Sequence, residues 1–291
     1  MVGDRKVTVF TVFKYLFIFL FALIIIYPML HILAVSLSEK NAVLTGSVTF
    51  YPKGLDLSSY KLIWAQSGLG PAYLNTLKYV ILHTLVAMFV TTAGAYALSK
   101  TKRLWGYKVF MSMIVITMFF GGGMIPTYLT MKMYNLINTT WVIVLMGCCT
   151  AYNIIVMKSF FQNLPKDLED AGKIDGLDDF GVLWYIVMPL STAILTTIAL
   201  FYAVGQWNAY MTPFIYLSDP AKYPVQILLR QMLLAGSTIS NDTNAVNMDS
   251  MIVGESLIDA TIVVSILPMI VIYPFLQKYF VKGIMIGSLK G

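Results

Sequence analysis

The chain has 291 residues, 58% of them hydrophobic and only 12% charged, with a formal net charge of +6. A soluble domain of this length carries about 25% charged residues, so one aqueous core cannot hide this much apolar surface and lipid must solvate part of it. The positive balance fits the basic cytoplasmic loops of a membrane protein and is poor grounds for a nucleic-acid partner. Cys148 and Cys149 are neighbours in an apolar run with no second pair, which leaves no zinc site and reads as small core residues.

In chain order, residues 1–12 are a basic segment containing Arg5 and Lys6. The apolar run from Phe13 outlasts a signal peptide and lacks a small-residue cleavage site, so it reads as a first membrane helix. A bilayer crossing takes roughly 20 apolar residues. Six stretches qualify: 13–37, 73–99, 107–131, 139–161, 184–206 and 257–281. The first contains Pro28, the third Gly121-Gly122-Gly123 and Pro126, the last Pro268 and Pro274. Such breakers survive in membranes where neighbouring helices or a cavity re-satisfy the backbone. The expected fold is an all-α membrane protein of six transmembrane helices, with the transmembrane domain spanning 13–282.

Orientation follows from the basic residues. Arg5, Lys6 and Lys14 lie at the amino end, Lys100, Lys102, Arg103 and Lys108 in the second loop, and Lys278, Lys282 and Lys290 at the carboxyl end. An even number of spans puts all three regions on one side, which the excess of Lys and Arg makes cytoplasmic. Both termini, including the tail 283–291, and a loop at about 163–183 then face the cytoplasm. Segments 38–72 and about 207–256, rich in Ser, Thr, Asn, Gly and Pro, face outward.

The inner loop is the one conspicuously charged stretch. LPKDLEDAGKIDGLDDFGVLWYIVMPL, residues 164–190, holds six carboxylates and two lysines. Pro165 suits a first helical turn. A short helix is predicted over 166–174, with Asp167, Glu169 and Asp170 early, where acids suit the helix dipole. Gly176 suits the left-handed conformation that ends a helix, and Asp178 or Asp179 caps a second helix running through Phe180, Leu183 and Trp184 into the membrane. Ala171 and Gly172 are small enough for a partner surface to approach closely. On composition alone three readings stay open: a metal site, disfavoured because histidines are absent; a solvated acidic loop; and a docking element.

The spacing carries a resemblance. Asp170-Ala171-Gly172-Lys173-Ile174-Asp175-Gly176, with Pro189 thirteen residues beyond, resembles the EAA motif of importer-type ABC transporter permeases. Asp170 takes the place of that motif's glutamate, Ala171 and Gly172 those of its two alanines, and Gly176 that of its glycine. Aspartate shortens the acid, which Glu169 beside it partly replaces, and glycine for alanine costs about 1 kcal/mol of helix propensity. Further segments are similar to Gram-positive polysaccharide and oligosaccharide permeases of the maltose-importer type. They are Tyr73-Leu74-Asn75-Thr76-Leu77, Ala93 to Ser99, Met118 to Leu129, Tyr202 to Asn208, Tyr223 to Arg230 and Gln277 to Gly283.

The resemblance implies a type I ABC importer permease subunit in the cell membrane, with a cytoplasmic coupling-helix loop. Glu169, Asp170, Ala171, Gly172, Asp175, Gly176, Leu177 and Pro189 would meet a groove of the ATPase. It also implies a second homologous permease chain in a heterodimer, two ATPase subunits that bind ATP and Mg, and an extracytoplasmic sugar-binding lipoprotein. No GxxxxGK[ST] loop occurs, and the glycines at 121–123 lack the following lysine, so ATP hydrolysis is expected on the separate subunit and this chain is expected to bind no cofactor. Closure of the ATPase pair is expected to move the 166–183 helix pair, and the rigid limb leading to Trp184 to tilt the later spans.

Sugar contacts are expected from aromatic rings beside amides: Tyr152 and Asn153 in the fourth span, and Gln206, Trp207, Asn208 and Tyr210 at the outer end of the fifth. Interfacial belts and interhelical bonds compete for those residue types. His31 and His83 read as interhelical hydrogen bonders, and Arg230 and Gln231 as contacts of the binding protein. The alternative is an ion- or proton-coupled secondary sugar transporter, which calls for titratable groups at mid-membrane. The six stretches hold no carboxylate but Asp259, near one end. A membrane-embedded enzyme would need a convergent acid, base or nucleophile, and none is spaced for it.

Overall fold

The structure is a computed structural model that describes residues 9–66, 68–100, 105–241, 256–271 and 273–274. Arg5, Lys6, Lys102, Arg103, Lys278, Lys282, Lys290, the segment 242–255 and the 277–283 match all lie outside the described residues. The chain divides into two compact units, 1–69 with 228–268 and 70–227 with 269–291.

The first unit begins with α1 (Val9–Ser36), a helix of 28 residues that extends about 42 Å at 1.5 Å per residue. Its side chains are exposed on every side from Phe10 to Leu30, the pattern of a helix solvated by lipid rather than by a core. After Ser36 the chain turns through α2 (Lys40–Leu44) and α3 (Ser58–Gln66). His31 reaches out of α1 and donates through Nδ1 to the Thr49 carbonyl, at 3.0 Å. Ser38 bridges Leu55 in antiparallel fashion, its hydroxyl donating back to Ala34. Ala34, Val35, Ala42 and Val48 close a small core beneath this connection.

Asp56 starts α3. Its carboxylate accepts from the Ser58 backbone N–H and the Ser58 hydroxyl, each at 2.8 Å. These two bonds, the backbone one first, hold the carboxyl below its ordinary 3.8. A depressed acid stabilises the fold above its ordinary value and loses that contribution as pH falls through its folded value. Protection of the α3 amides against hydrogen exchange is therefore expected to fall on acidification below 3.8, and to be low at all pH in Asp56→Ala. Equal protection in the two proteins at neutral pH would remove Asp56 as the cap.

The second unit is built on α4 (Leu69–Ser99), unbroken over 31 residues. Its buried positions, Ala72, Thr76, Tyr79, His83, Ala87, Thr91 and Ala95, recur every three or four residues, so one face meets the rest of the unit. Ala87 and Ala95 are fully buried; side chains this small let helix backbones come close without a hydrophobic drive between them. At the amino end of α4, Asn75 Nδ2 donates to the Ala221 and Tyr223 carbonyls, Tyr79 Oη to the Lys222 carbonyl, and the Val225 N–H to Thr76 Oγ1. Lys222 Nζ completes this clasp on the Asn138 carbonyl, at 2.8 Å.

The stretches read from sequence as the third, fourth and fifth spans are each interrupted. The third is α5 (Tyr107–Phe119) and α6 (Met124–Met133), set at 119° across the glycine run. The fourth is α7 (Thr140–Leu145) and α8 (Ala151–Gln162), separated where Gly147 takes φ +74°. Ending α7 frees carbonyls, and His83 Nδ1 donates to that of Val144 at 2.9 Å, the re-satisfaction an interrupted membrane helix requires.

The acidic loop at 163–183 supplies α9 (Lys166–Ile174) and α10 (Asp179–Val182). A π turn, Leu183–Val187, and α11 (Met188–Leu190) follow, and α12 (Thr192–Trp207) then leaves at 86°. Proline at 189 cannot donate to the helix ladder, and the π turn lies just before it. Ser191, at the bend, is fully buried, and its hydroxyl has no partner among the described residues. The limb leading to Trp184 is helical from Asp179 through Leu190, and the joint comes beyond it, at Ser191.

The segment 207–256 holds α13 (Met211–Tyr216), a 3-10 turn and α14 (Val225–Asn241), and the last apolar stretch holds α15 (Ser256–Val271). Among the described residues two helices are long and apolar enough to cross a membrane, or up to four if each bent pair is one span.

Candidate functional site

The acidic loop folds as its local chemistry dictates. Pro165 sits one position ahead of expectation, as the residue before α9, where its φ of −59° costs nothing. The helix ends at Asp175. Gly176 takes φ +87°, its N–H donating to the Lys173 carbonyl while the Leu177 N–H donates to that of Gly172. This pair of bonds is the Schellman ending, which asks for a residue free to adopt left-handed backbone. Asp178 then caps α10, its Oδ1 accepting from the Gly181 N–H at 2.7 Å. Lys173 pairs with Asp179 at 3.3 Å, joining the two short helices across the turn.

The carboxylates divide by direction. Asp167, Asp170 and Asp175 are exposed. Glu169 points inward and accepts from Lys100 Nζ, at the end of α4. The sequence treated Glu169 as a stand-in for the shorter Asp170; the structure separates them, one to the interior and one to the surface. Exposed apolar side chains flank the acids, with Ile174 87% and Phe180 81% accessible. Phe180 also edges a cavity of about 340 Å³ lined by Ala93, Tyr96, Lys100 and Asp179.

Gly172 corrects another expectation. It is buried, and a Cβ there would overlap Ile186 Cδ1 and lie 3.4 Å from Leu177 Cδ1. Its smallness serves the crossing of α9 over the π turn within this chain, not the approach of a partner. Ala171, next to it, is exposed. Leu177 packs beneath the crossing on the core of Met157, Phe161, Val182 and Val187. Pro189 is exposed at the base of the limb.

The residues expected along a sugar path do not present one surface. Tyr152 is exposed while Asn153, its neighbour on α8, is buried. Trp207 is buried with its ring 6.2 Å from that of Tyr73. Asn208 Nδ2 donates to the Val204 carbonyl of its own helix, Gln206 is half-buried, and Tyr210 stacks on Phe214 at 5.3 Å.

A polar cluster that the sequence reading passed over lies elsewhere. Tyr202 and Thr91 share a hydrogen bond of 2.7 Å; the Tyr202 oxygen also accepts from the Thr150 N–H at 3.4 Å, and the His83 and Tyr202 ring centroids stand 5.8 Å apart. The four-residue spacing of His83, Ala87 and Thr91 carried the signal. Tyr202→Phe leaves the Thr91 hydroxyl buried without this partner, a loss of about 1–3 kcal/mol. It is expected to lower the unfolding midpoint of the purified protein, and an unchanged midpoint would show that the bond contributes nothing. Among the described residues no group of three His, Cys, Asp or Glu side chains is placed to share a metal ion.

Residues 102–286 match the family described as binding-protein-dependent transport system inner membrane component. The chain is 38% identical to the polygalacturonan/rhamnogalacturonan transport system permease protein YtcP of Bacillus subtilis, over 98% of this chain and 100% of that one. It is 39% identical to protein LplC of the same organism, over 97% and 95%. Among solved structures, a chain of a bacterial ABC transporter involved in import of the acidic polysaccharide alginate superposes with TM-score 0.85 at 31% identity, covering 96% of this chain and 99% of that one. With an all-α fold, an apolar surface and matches along nearly its whole length, the chain belongs to the binding-protein-dependent inner membrane components and is an ABC importer permease of the oligo- and polysaccharide type.

Proposed function

We propose that this chain forms half of the translocation pathway of an ATP-driven importer and docks a separate ATPase through α9, the Gly176 turn and α10. The carrying observation is the loop itself: two short helices locked at a Schellman turn, with Asp167, Asp170, Asp175, Ile174 and Phe180 outward. An exposed apolar and acidic knuckle of this kind matches a groove with basic rims. Its partners are a second homologous permease chain, two ATPase subunits holding ATP and Mg, and an extracytoplasmic sugar-binding lipoprotein. The chain lies in the cell membrane as six spans, broken ones included, with both termini cytoplasmic.

The cargo is an oligo- or polysaccharide. A relative named for polygalacturonan and rhamnogalacturonan, and a structural neighbour named for alginate, make acidic saccharides the first to test. These ABC-system relatives support ATP coupling over an ion gradient. Proteoliposomes containing both permeases and the ATPase, supplied with binding protein and labelled oligogalacturonate or a neutral oligosaccharide, are expected to accumulate sugar only with internal-site ATP and regardless of a protonophore. Uptake driven by a proton gradient without the ATPase would overturn the reading.

A further inference from the structure

The limb from α10 to α12 is a poor lever. It contains a π turn, a proline and an 86° bend before α12 begins. α4 has no π turn and no such bend, and its one proline, Pro71, lies in the first turn, where a missing N–H costs nothing. It runs unbroken for 31 residues, about 45 Å at 1.5 Å per residue. Along it sit the groups that hold the remainder of the unit: Asn75 and Tyr79 on the outer clasp, His83 on the broken fourth stretch, Thr91 on Tyr202.

The inner end of this rod is joined to α9 by one ion pair. Lys100 Nζ donates to Glu169 Oε2, and the two side chains are only 19% and 17% exposed. The ammonium also stands 4.5 Å from the Tyr96 ring centroid, a second attraction holding the same group. Tyr96 in turn meets Phe161 edge-on, and Gln162 Nε2 donates to the Ser99 carbonyl at 3.4 Å. The cation lies at the carboxyl end of one helix and the anion near the amino end of another, so both helix dipoles favour the pair. A surface ion pair tolerates separation because water replaces the partner; a pair this enclosed does not, since parting leaves two poorly solvated charges.

We propose that Lys100 and Glu169 are positioning residues for ATP-coupled transport, making α9 and α4 one mechanical body so that displacement of the coupling loop is delivered along α4 to the outer clasp. Glu169 therefore acts inward on its own chain, while Asp170 beside it remains for the ATPase. The proposal rests on the importer reading above.

The test uses the complete transporter in proteoliposomes. Glu169→Gln and Lys100→Met are expected to assemble and hydrolyse ATP, with sugar moved per ATP reduced about tenfold. The exchange K100E/E169K is expected to restore a large part of that ratio. A pair that only stabilises the fold would lower the yield of complex and leave the ratio intact, which would overturn the proposal. Spin labels at Ala97 and Lys166 read the geometry directly. Their separation is expected to stay the same in nucleotide-free and ATP-bound wild type and to spread in Lys100→Met. A nucleotide-dependent shift in wild type would show that the two helices part during the cycle and would end the proposal while leaving the importer reading untouched. Absence of ATP-dependent uptake by the unmodified complex would overturn the importer reading instead.

Discussion

Gly172→Leu is expected to abolish coupled transport, whereas Gly172→Ala is expected to be close to neutral. At this position α9 crosses the π turn, and a Cβ overlaps only Ile186 Cδ1, the far end of a flexible side chain. Alanine is accommodated when Ile186 changes rotamer, and it returns about 1 kcal/mol of helix propensity that glycine forgoes. Leucine has no such escape. Leu177 Cδ1 at 3.4 Å and Val182 Cγ2 at 3.7 Å close the remaining directions, so added methylenes must push α9 off the limb. Overpacking of this kind costs about 1–3 kcal/mol, and here the strain falls on the helix that carries Glu169. Uptake and ATP hydrolysis measured on the same vesicles check this: normal uptake by the leucine variant would mean that the crossing is not a constraint.

Gly176→Val is the second large effect, with a different cause. Around Gly176 there is open space, with no heavy atom near the Cβ position. The penalty is in the backbone: φ is +87°, a left-handed value that costs an L-residue about 1–2 kcal/mol and is worse for a β-branched one. Relieving it means giving up the bonds from Gly176 and Leu177 to Lys173 and Gly172, which frees α10 from α9. ATP hydrolysis is expected to persist while sugar uptake falls about tenfold, 1.4 kcal/mol being a factor of ten. Gly176→Asn is expected to keep much of the activity, because asparagine enters left-handed backbone more readily than other residues. A valine variant that moves as much sugar per ATP as wild type would remove the turn from the relay.

The two glycines show what one sequence can and cannot reveal. At Gly176 the requirement is local: a short helix, an Asp, a Gly and a capping Asp178 dictate the turn from their own dihedrals and hydrogen bonds. At Gly172 the requirement comes from Ile186, fourteen positions away and across the turn, and the sequence read only a propensity deficit. The same contrast runs through the spans. Hydropathy located the apolar stretches and the glycine run marked the break at 120–123, but neither marked those at 146–150 and 191; at the first of these, His83 supports a backbone the helix has released.

By itself the sequence determined that this is an all-helical membrane chain, that its acidic loop is a capped helix pair, and that its family is that of the importer permeases. These follow from solvation of side chains, from dihedral preference and from motif spacing, all of which act within a few residues. Only the tertiary structure decided the direction of each polar group. It turned Glu169 inward to Lys100 across 69 positions, joined Thr91 to Tyr202 across 111, and placed Asn153 in the interior while leaving Tyr152 outside. A charge or hydroxyl in a weakly polar medium takes whatever partner the fold brings within reach, and that partner is set by packing over distances that no local pattern records.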